Sequence, residues 1–179
     1  MASRTPGADA ETSLVTLHEI APPAAADLAL GGTGGFHWID GGPEEGTRIG
    51  AGLVAKADGE GTYVPGWGVY VIARAGDARA VGAIGFHTAP ADGRVEIGYD
   101  IVAAARRNGY ATAAVRALTA RALADPGVTT VRARTTPDNT ASRRVLENAG
   151  FRLVGRDGEE LTYEVGELGE LGEVGELGE

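Results

Sequence analysis

The chain has 179 residues, 43% of them hydrophobic, with a formal net charge of −9, three histidines and no cysteine. This length suits one domain with a sizeable core. The lack of cysteine excludes disulfides, thiolate catalysis and cysteine-ligated metals, and so few histidines argue against any metal site.

The charge is distributed unevenly along the chain. Residues 1–105 contain six basic and 13 acidic residues, residues 106–156 contain ten arginines and three acids, and residues 157–179 contain nine acids and no base. The basic stretch favours an anionic ligand, although solvated helix and strand faces would give the same pattern. We do not expect nucleic acid as a partner, because the whole chain is acidic and 6% of its residues are aromatic.

Neither a signal peptide nor a membrane segment is predicted. The first residues lack the apolar core of a signal peptide, and no apolar run approaches the length that spans a membrane. We therefore expect a cytoplasmic location and no membrane contact. The absence of cysteine agrees with this location, because proteins of the reducing cytoplasm rarely contain disulfides.

The first part of the chain predicts a lead, a strand, a helix and an irregular connection. Residues 1–11 are expected to be disordered, before a folded domain over residues 12–165. A strand is predicted over residues 12–20, and a short helix follows the proline pair over residues 24–30. The glycine-rich stretch 31–61 is predicted to form a helix or loop that covers one end of a sheet.

Three strands are predicted next, over residues 67–74, 80–87 and 94–102. The first of them alternates apolar and polar residues, and short turns separate all three. Strands joined in this way indicate an antiparallel meander.

Helices and strands alternate in the second part of the chain. A helix is predicted over residues 109–124, a strand over 128–134, a helix over 139–149, and a closing hairpin over 151–155 and 161–165. The order is β-α-βββ-α-β-α-ββ, which is a mixed α/β (α+β) sheet, mostly antiparallel. The two strands on either side of the first of these helices should be parallel.

Residues 166–179 repeat Gly-Glu-Leu or Gly-Glu-Val with a period of three. Glycine at every third position disfavours a helix, so we predict a flexible, disordered acidic tail. A partner-binding role for this tail is the alternative.

The most informative segment lies where the predicted strand passes into the predicted helix. Its residues are Arg106, Arg107, Asn108, Gly109, Tyr110, Ala111 and Thr112. A glycine here lets the backbone approach a ligand closely, and the free N–H groups of the first helical turn, aided by the helix dipole, bind phosphate. The two arginines add charge that pairs well with phosphate. An ordinary helix start that tolerates glycine is the alternative.

Two further motifs flank this segment in the chain. They are Val95-Glu96-Ile97-Gly98-Tyr99 and Asn139-x-x-Ser142-x-x-Val145-Leu146-Glu147-x-x-Gly150-Phe151. Together with Arg106-x-x-Gly109-x-Ala111-Thr112 they resemble the GNAT N-acetyltransferases, most closely the ribosomal-protein alanine N-acetyltransferase branch. The resemblance covers about residues 80–156. It implies the GNAT acyl-CoA N-acyltransferase fold, with helices on both faces of the sheet, and acetyl-CoA as co-substrate without a metal.

The resemblance also implies the reaction and the cofactor site. An acetyl group would pass directly from acetyl-CoA to a primary amine, either a peptide N-terminus or a small molecule, and a homodimer is an implied assembly. The pyrophosphate would bind at the arginine-glycine segment, and the pantetheine arm between the ends of strands 94–102 and 128–134. Backbone groups of Ile101 and Val102 would bind the arm, and a backbone N–H near Asp100 would polarise the thioester carbonyl.

By the same resemblance, Asn139 contacts the pantetheine amides and Ser142 the thiol end of the cofactor. Their spacing of three residues places both on one side of the helix start. Either residue could instead be a plain helix N-cap, because Asn and Ser are both good caps.

Glu96 is the candidate general base. It lies on the strand face opposite to Val95 and Ile97, and the acceptor amine must lose a proton before it attacks. The alternatives are that Glu96 binds the acceptor without proton transfer, or that it is a solvated strand residue paired with an arginine.

The sequence departs from the family pattern at two positions. Arg107 stands where the family often has glycine, and Leu146 stands where many members carry a tyrosine proposed as the general acid. The acid is therefore unassigned, and a non-catalytic acetyl-CoA-binding sensor or interaction module is the alternative function. An antibiotic-modifying enzyme would differ only in its acceptor. We predict His87 to be a surface residue, with a place in the lining of the acceptor pocket as the alternative. Trp38 is predicted to be a packing residue that could border the same pocket.

Overall fold

The computed structural model describes residues 13–166, so the predicted lead and, from residue 167, the predicted tail lie outside the described residues. The strands are β1 (Val15–Glu19), β2 (Val69–Arg74), β3 (Ala80–Phe86), β4 (Arg94–Ile101), β5 (Thr130–Thr135), β6 (Arg152–Asp157) and β7 (Glu160–Gly166). The helices are α1 (Pro22–Ala29), α2 (Glu45–Gly59), α3 (Tyr110–Leu123) and α4 (Thr140–Asn148). The predicted order of elements is confirmed. The glycine-rich stretch 31–61 was predicted to form a helix or a loop, and it contains the helix α2.

The seven strands form one sheet in the order β1-β2-β3-β4-β5-β7-β6. All neighbouring strands are antiparallel except β4 and β5, which are parallel. The parallel pair is the one predicted, because a strand that is followed by a crossover helix must return in the same direction. The sheet is therefore mixed and mostly antiparallel, as expected.

Helices cover both faces of the sheet. In the strand register Tyr70 lies beside Ile84 and Ile84 beside Tyr99, so these three side chains share one face. The Arg121 guanidinium of α3 lies 5.1 Å from the centre of the Tyr70 ring, which places α3 on that face. The carboxylate of Asp100, next along β4, bonds to α2, which therefore covers the opposite face.

Burial explains the positions of the helices. The buried side of α3 recurs every three or four residues, and it consists of Ala114, Val115, Leu118, Thr119 and Ala122. The four apolar residues among them pack against the sheet in one continuous core with Ile84 and Ile97. Each large apolar side chain buried in this way contributes about 1.5–3 kcal/mol to folding. None of the described helices is both long and apolar enough to cross a membrane.

Candidate active site

A wedge opens between β4 and β5 at their carboxyl ends. The two strands pair from Arg94 to Ile97, yet β4 continues to Ile101 and remains paired with β3 over that distance. We call the resulting wedge the β4–β5 gap. Carboxyl ends of parallel strands that lead into helices are common ligand sites, because helix N-termini collect there.

Alternate backbone amides of β4 point into the β4–β5 gap. The N–H of Val102 donates to the carbonyl of Val81 at 2.8 Å, so this amide is committed to β3. In an antiparallel ladder every second residue bonds to the same neighbour, which turns the N–H groups of Tyr99 and Ile101 toward the gap. Of the two residues predicted to bind the pantetheine arm, Ile101 thus offers an amide. Asp100 lies between the two amides that face the gap.

The turn from β4 into α3 holds its backbone in an uncommon conformation. Arg107 and Gly109 both have positive φ angles, of 65° and 79°. Such angles suit glycine and strain other residues, so Arg107 has a backbone strain that a glycine at the same position would lack. The Asn108 side chain donates to the carbonyls of Ala105 at 2.9 Å and Arg106 at 3.1 Å. These two hydrogen bonds from the Asn108 side chain therefore stabilise the conformation of the turn.

The amides of this turn are free to bind an anion. Within residues 13–166, no hydrogen bond is donated by the backbone N–H groups of residues 107–112. They surround the N-terminus of α3, where the helix dipole adds positive potential. The Arg106 Nε donates to the Ile101 carbonyl at 3.1 Å, whereas the exposed Arg107 side chain pairs with no described residue. The predicted segment thus has the geometry of a phosphate site.

Asn139 and Ser142 lie together at the start of α4, as their spacing predicted. Asn139 is the N-cap, and its Oδ1 accepts a hydrogen bond from the Ser142 N–H at 3.0 Å. The capping role that the sequence left open is therefore observed. The Asn139 Nδ2 group bonds to no other described residue, so it is free to serve a ligand as well.

The Tyr99 hydroxyl reaches from β4 to the start of α4. It lies 3.0 Å from Ser142 Oγ, so the two hydroxyls bridge the strand and the helix beside the β4–β5 gap. Burial raises the pKa of Tyr99 above its ordinary value, and the hydrogen bond with Ser142 partly opposes this rise. Tyr99 consequently stays protonated and can donate a proton at neutral pH.

Leu146 has no access to the β4–β5 gap. Its side chain is fully buried in the core, and Leu146 is the one buried residue of α4. A tyrosine hydroxyl at this position would be buried with it. At position 146 the chain therefore has an apolar core side chain and no hydroxyl group that could donate a proton.

A cavity of about 540 Å³ lies between α2 and the sheet. Its walls are mainly apolar, and they include Ile49, Leu53 and Val64 from α2 and the loop after it. Trp67 also borders the cavity, and its ring packs at 4.8 Å from that of Phe86. Trp38 is instead buried away from the cavity, with its Nε1 bonded to the Thr33 carbonyl. The volume is typical of pockets for small ligands.

Glu96 lies on the same sheet face as this cavity, and it has two charged or titratable neighbours. Its Oε1 is 3.2 Å from His87 Nδ1, and its Oε2 is 3.5 Å from Arg134 Nε. The His87 ring lies over Gly98, where a Cβ atom would come within 2.8 Å of Nε2. His87 thus lines the cavity, and Glu96 contacts the Nδ1 atom of the His87 ring without lining the cavity itself.

Asp100 connects β4 to α2 at the other end of the cavity. Its two carboxylate oxygens accept hydrogen bonds from the Thr47 N–H and hydroxyl, both at 2.7 Å. The carboxylate thereby caps the N-terminus of α2, and glycine is needed at position 46 because a Cβ atom there would lie 2.6 Å from Asp100. Burial raises the pKa of Asp100, and the hydrogen bonds from Thr47 oppose this rise.

The sequence left a place in the acceptor pocket as an alternative for His87, and it gave no role to Tyr99 or Thr47. His87 directly follows the strand before Glu96, and Tyr99 lies near the end of the strand that contains Glu96, but only the register shows which atoms meet. Thr47 gave no signal, because it lies 53 positions from Asp100 in a stretch of undetermined structure.

The sequence matches the family model of the acetyltransferase (GNAT) domain over residues 58–152. It is 34% identical over 90 residues to YoaA of Bacillus subtilis (strain 168), an uncharacterized N-acetyltransferase. That match covers 50% of this chain and 49% of YoaA, so the chain spans about half the length of the curated relative it matches.

Solved structures of acetyltransferases share the fold. The acetyltransferase from Agrobacterium tumefaciens str. C58 superposes with a TM-score of 0.58 at 24% identity, over 84% of this chain and 90% of that one. The microcin C7 self-immunity acetyltransferase MccE, solved in complex with acetyl-CoA and AMP, gives a TM-score of 0.60 at 16% identity, over 90% and 97% of the two chains. The expected fold is thereby confirmed.

Proposed function

Because the chain belongs to the GNAT acetyltransferase family, we propose that it transfers an acetyl group from acetyl-CoA to a primary amine. The observation that carries this proposal is the β4–β5 gap, which opens between two helix N-termini and receives free backbone amides. The titratable pair of His87 and Glu96 lies beside it, on the face that carries the cavity. Donor site, reaction site and acceptor site are therefore contiguous.

The residues present fit coenzyme A. The amides of residues 107–112 and the Arg107 guanidinium would hold the pyrophosphate, because charged and neutral N–H donors converge there. The amides of Tyr99 and Ile101 and the Asn139 Nδ2 group would bind the pantetheine arm. Bound acetyl-CoA supplies an acetyl thioester, and a gap-facing amide next to Asp100 would polarise its carbonyl.

The acceptor amine must lose a proton as its nitrogen forms the new bond to the acetyl carbon. Glu96 accepts that proton, and His87 is the group that conveys it. With the Glu96 carboxylate on Nδ1, the imidazole presents its Nε2 lone pair to the cavity. Arg134 keeps the carboxylate oriented through its contact with Oε2.

The C–S bond breaks in the same transfer, and the departing thiolate needs a proton. Tyr99 supplies it, with Ser142 positioning the Tyr99 hydroxyl. The pair spans the side of the β4–β5 gap on which α4 begins, and the Tyr99 hydroxyl is protonated at neutral pH. This assignment replaces the acid that Leu146 cannot provide.

An acceptor screen tests the proposal. Free thiol released from acetyl-CoA is measured with a panel of N-terminal peptides and small amines, and calorimetry measures acetyl-CoA binding separately. We expect saturable thiol release with at least one amine, together with its N-acetylated product. Binding of acetyl-CoA without turnover of any amine would favour the sensor or interaction module instead. The ribosomal-protein branch predicts a peptide N-terminus among the substrates, and light scattering tests the predicted homodimer.

A further inference from the structure

We infer that the acceptor is a primary amine that carries a bulky apolar group and no carboxylate next to the amine. This inference rests on the proposed acetyl transfer and names the class of its second substrate. The ligand would occupy the cavity between α2 and the sheet, with its amine toward β4 and its apolar group toward α2.

The walls of the cavity favour an apolar group. Ile49, Leu53 and Val64 are 60%, 54% and 45% exposed, although large apolar side chains of a folded domain are usually covered. All three border the same cavity, together with Trp67. A ligand that covers them removes apolar surface from water, and this is the main source of affinity for such a site.

The charges in the cavity favour an amine and disfavour a neighbouring carboxylate. Among the described residues that line it, Asp100 is the carboxylate and none is Lys or Arg. A free α-amino acid would bring its own carboxylate into this space and find no cation to pair with it, which carries a desolvation cost. A polyamine would bring several ammonium groups, whereas the Asp100 oxygens already accept two hydrogen bonds from Thr47.

The orientation of the ligand follows from the position of the proton acceptor. His87 lies over Gly98 at the β4 side of the cavity, and a side chain at position 98 would collide with its ring. The amine must therefore approach along β4, next to the β4–β5 gap. The apolar group then extends toward Leu53 and Trp67.

A matched set of four acceptors tests this inference: L-phenylalaninamide, L-alaninamide, L-phenylalanine and spermidine, each assayed with acetyl-CoA. We expect kcat/KM for phenylalaninamide to exceed that for alaninamide by about tenfold or more, because the ring buries apolar surface. We expect the same margin over phenylalanine, which differs only in its free carboxylate. Spermidine should be the poorest of the four.

A pair of variants locates the effect in the cavity. Leu53→Asp should lower kcat/KM for phenylalaninamide about tenfold or more and leave the KM for acetyl-CoA unchanged. Leu153→Asp is the control, because Leu153 on β6 is 52% exposed and does not border the cavity. Circular dichroism melting curves check that both variants fold.

Calorimetric titration of the same amides into the protein gives a readout independent of turnover. Tighter binding of phenylalaninamide than of phenylalanine, weakened by Leu53→Asp, supports the inference even if no acetylated product forms. If the protein bound acetyl-CoA but acetylated none of the amines, that result would count against the proposed acetyl transfer and not against the proposed class of ligand. Preferred turnover of alaninamide, phenylalanine or spermidine would overturn the inference and leave acetyl transfer intact, and so would equal binding of both phenylalanine compounds.

Discussion

His87 Nδ1 lies 3.2 Å from Glu96 Oε1 across the β3–β4 ladder, and the imidazole covers Gly98. A carboxylate on Nδ1 fixes the tautomer that leaves Nε2 as a proton acceptor. In the proposed mechanism, the glutamate of the β4 motif therefore acts through a residue that directly follows the neighbouring strand β3. The pair defines the reactive side of the cavity.

Glu96→Gln should reduce kcat about a hundredfold or more and leave acetyl-CoA binding unchanged, because the amide cannot accept the proton. His87→Gln should give a loss of the same order, because it removes the imidazole that conveys the proton. Arg134→Gln, which removes only the contact to Oε2, is the control and should have a smaller effect. Steady-state kinetics over a range of pH values measure all three. Near-normal turnover of Glu96→Gln would remove the pair from catalysis.

Gly109→Glu should raise the KM for acetyl-CoA tenfold or more, equivalent to about 1.4 kcal/mol of binding. A carboxylate at the N-terminus of α3 repels the pyrophosphate and strains a backbone with φ of 79°. Gly158→Glu is the matched control, because Gly158 also has a positive φ, of 58°, with open space around it in the β6–β7 turn. Unaltered acetyl-CoA affinity in Gly109→Glu would refute the phosphate site.

Arg107→Gly should separate the effect of backbone strain on stability from the effect of the Arg107 charge on acetyl-CoA binding. Glycine relieves the left-handed conformation of residue 107, so the midpoint of thermal unfolding should stay level or rise. The loss of the guanidinium should at the same time weaken acetyl-CoA binding, and more so at low salt. Differential scanning fluorimetry and calorimetry at two ionic strengths check the two effects. A variant with unchanged affinity at both salt concentrations would show that Arg107 does not reach the phosphates.

Tyr99→Phe should reduce kcat about tenfold or more and leave both KM values nearly unchanged, because a hydroxyl that acts on the leaving thiolate contributes to the transition state alone. Because burial raises the pKa of Tyr99, the hydroxyl stays protonated, and the loss should be constant between about pH 6 and 9. Tyr163→Phe, which removes a buried hydroxyl that contacts Arg143 and Glu147, is the control. Equal kcat in Tyr99→Phe and the native protein would exclude this acid.

Asp100→Asn should change how stability depends on pH. The pKa of Asp100 is raised in the folded protein, so the folded state binds more protons at this site than the unfolded state, and stability falls as pH rises through that range. The asparagine variant lacks this decrease. Urea unfolding at about pH 4 and about pH 7 measures it, and the free energy of unfolding of the native protein should fall relative to the variant at the higher pH. An opposite sign would mean that the hydrogen bonds from Thr47 outweigh burial.

Local backbone requirements made much of the proposed cofactor site predictable. A glycine before a helix, two arginines and the free amides of the first turn are all properties of adjacent residues. The spacing of Asn139 and Ser142 placed them on one side of a helix start for the same reason. The sequence left open whether α2 is a helix or a loop, because four glycines within Glu45–Gly59 lower its intrinsic helix propensity. Packing against α1 and the sheet stabilises it instead.

The sequence by itself determined the order of the elements, the parallel pair β4 and β5, and the free amides at the start of α3, because periodicity and turn residues act within a few positions. Only the tertiary structure decided that His87 meets Glu96, that Tyr99 meets Ser142, and that an apolar cavity lies beside them. Those contacts depend on strand register and on the packing of α2, and a shift of one residue in the strand register would turn the same side chains to the opposite face of the sheet.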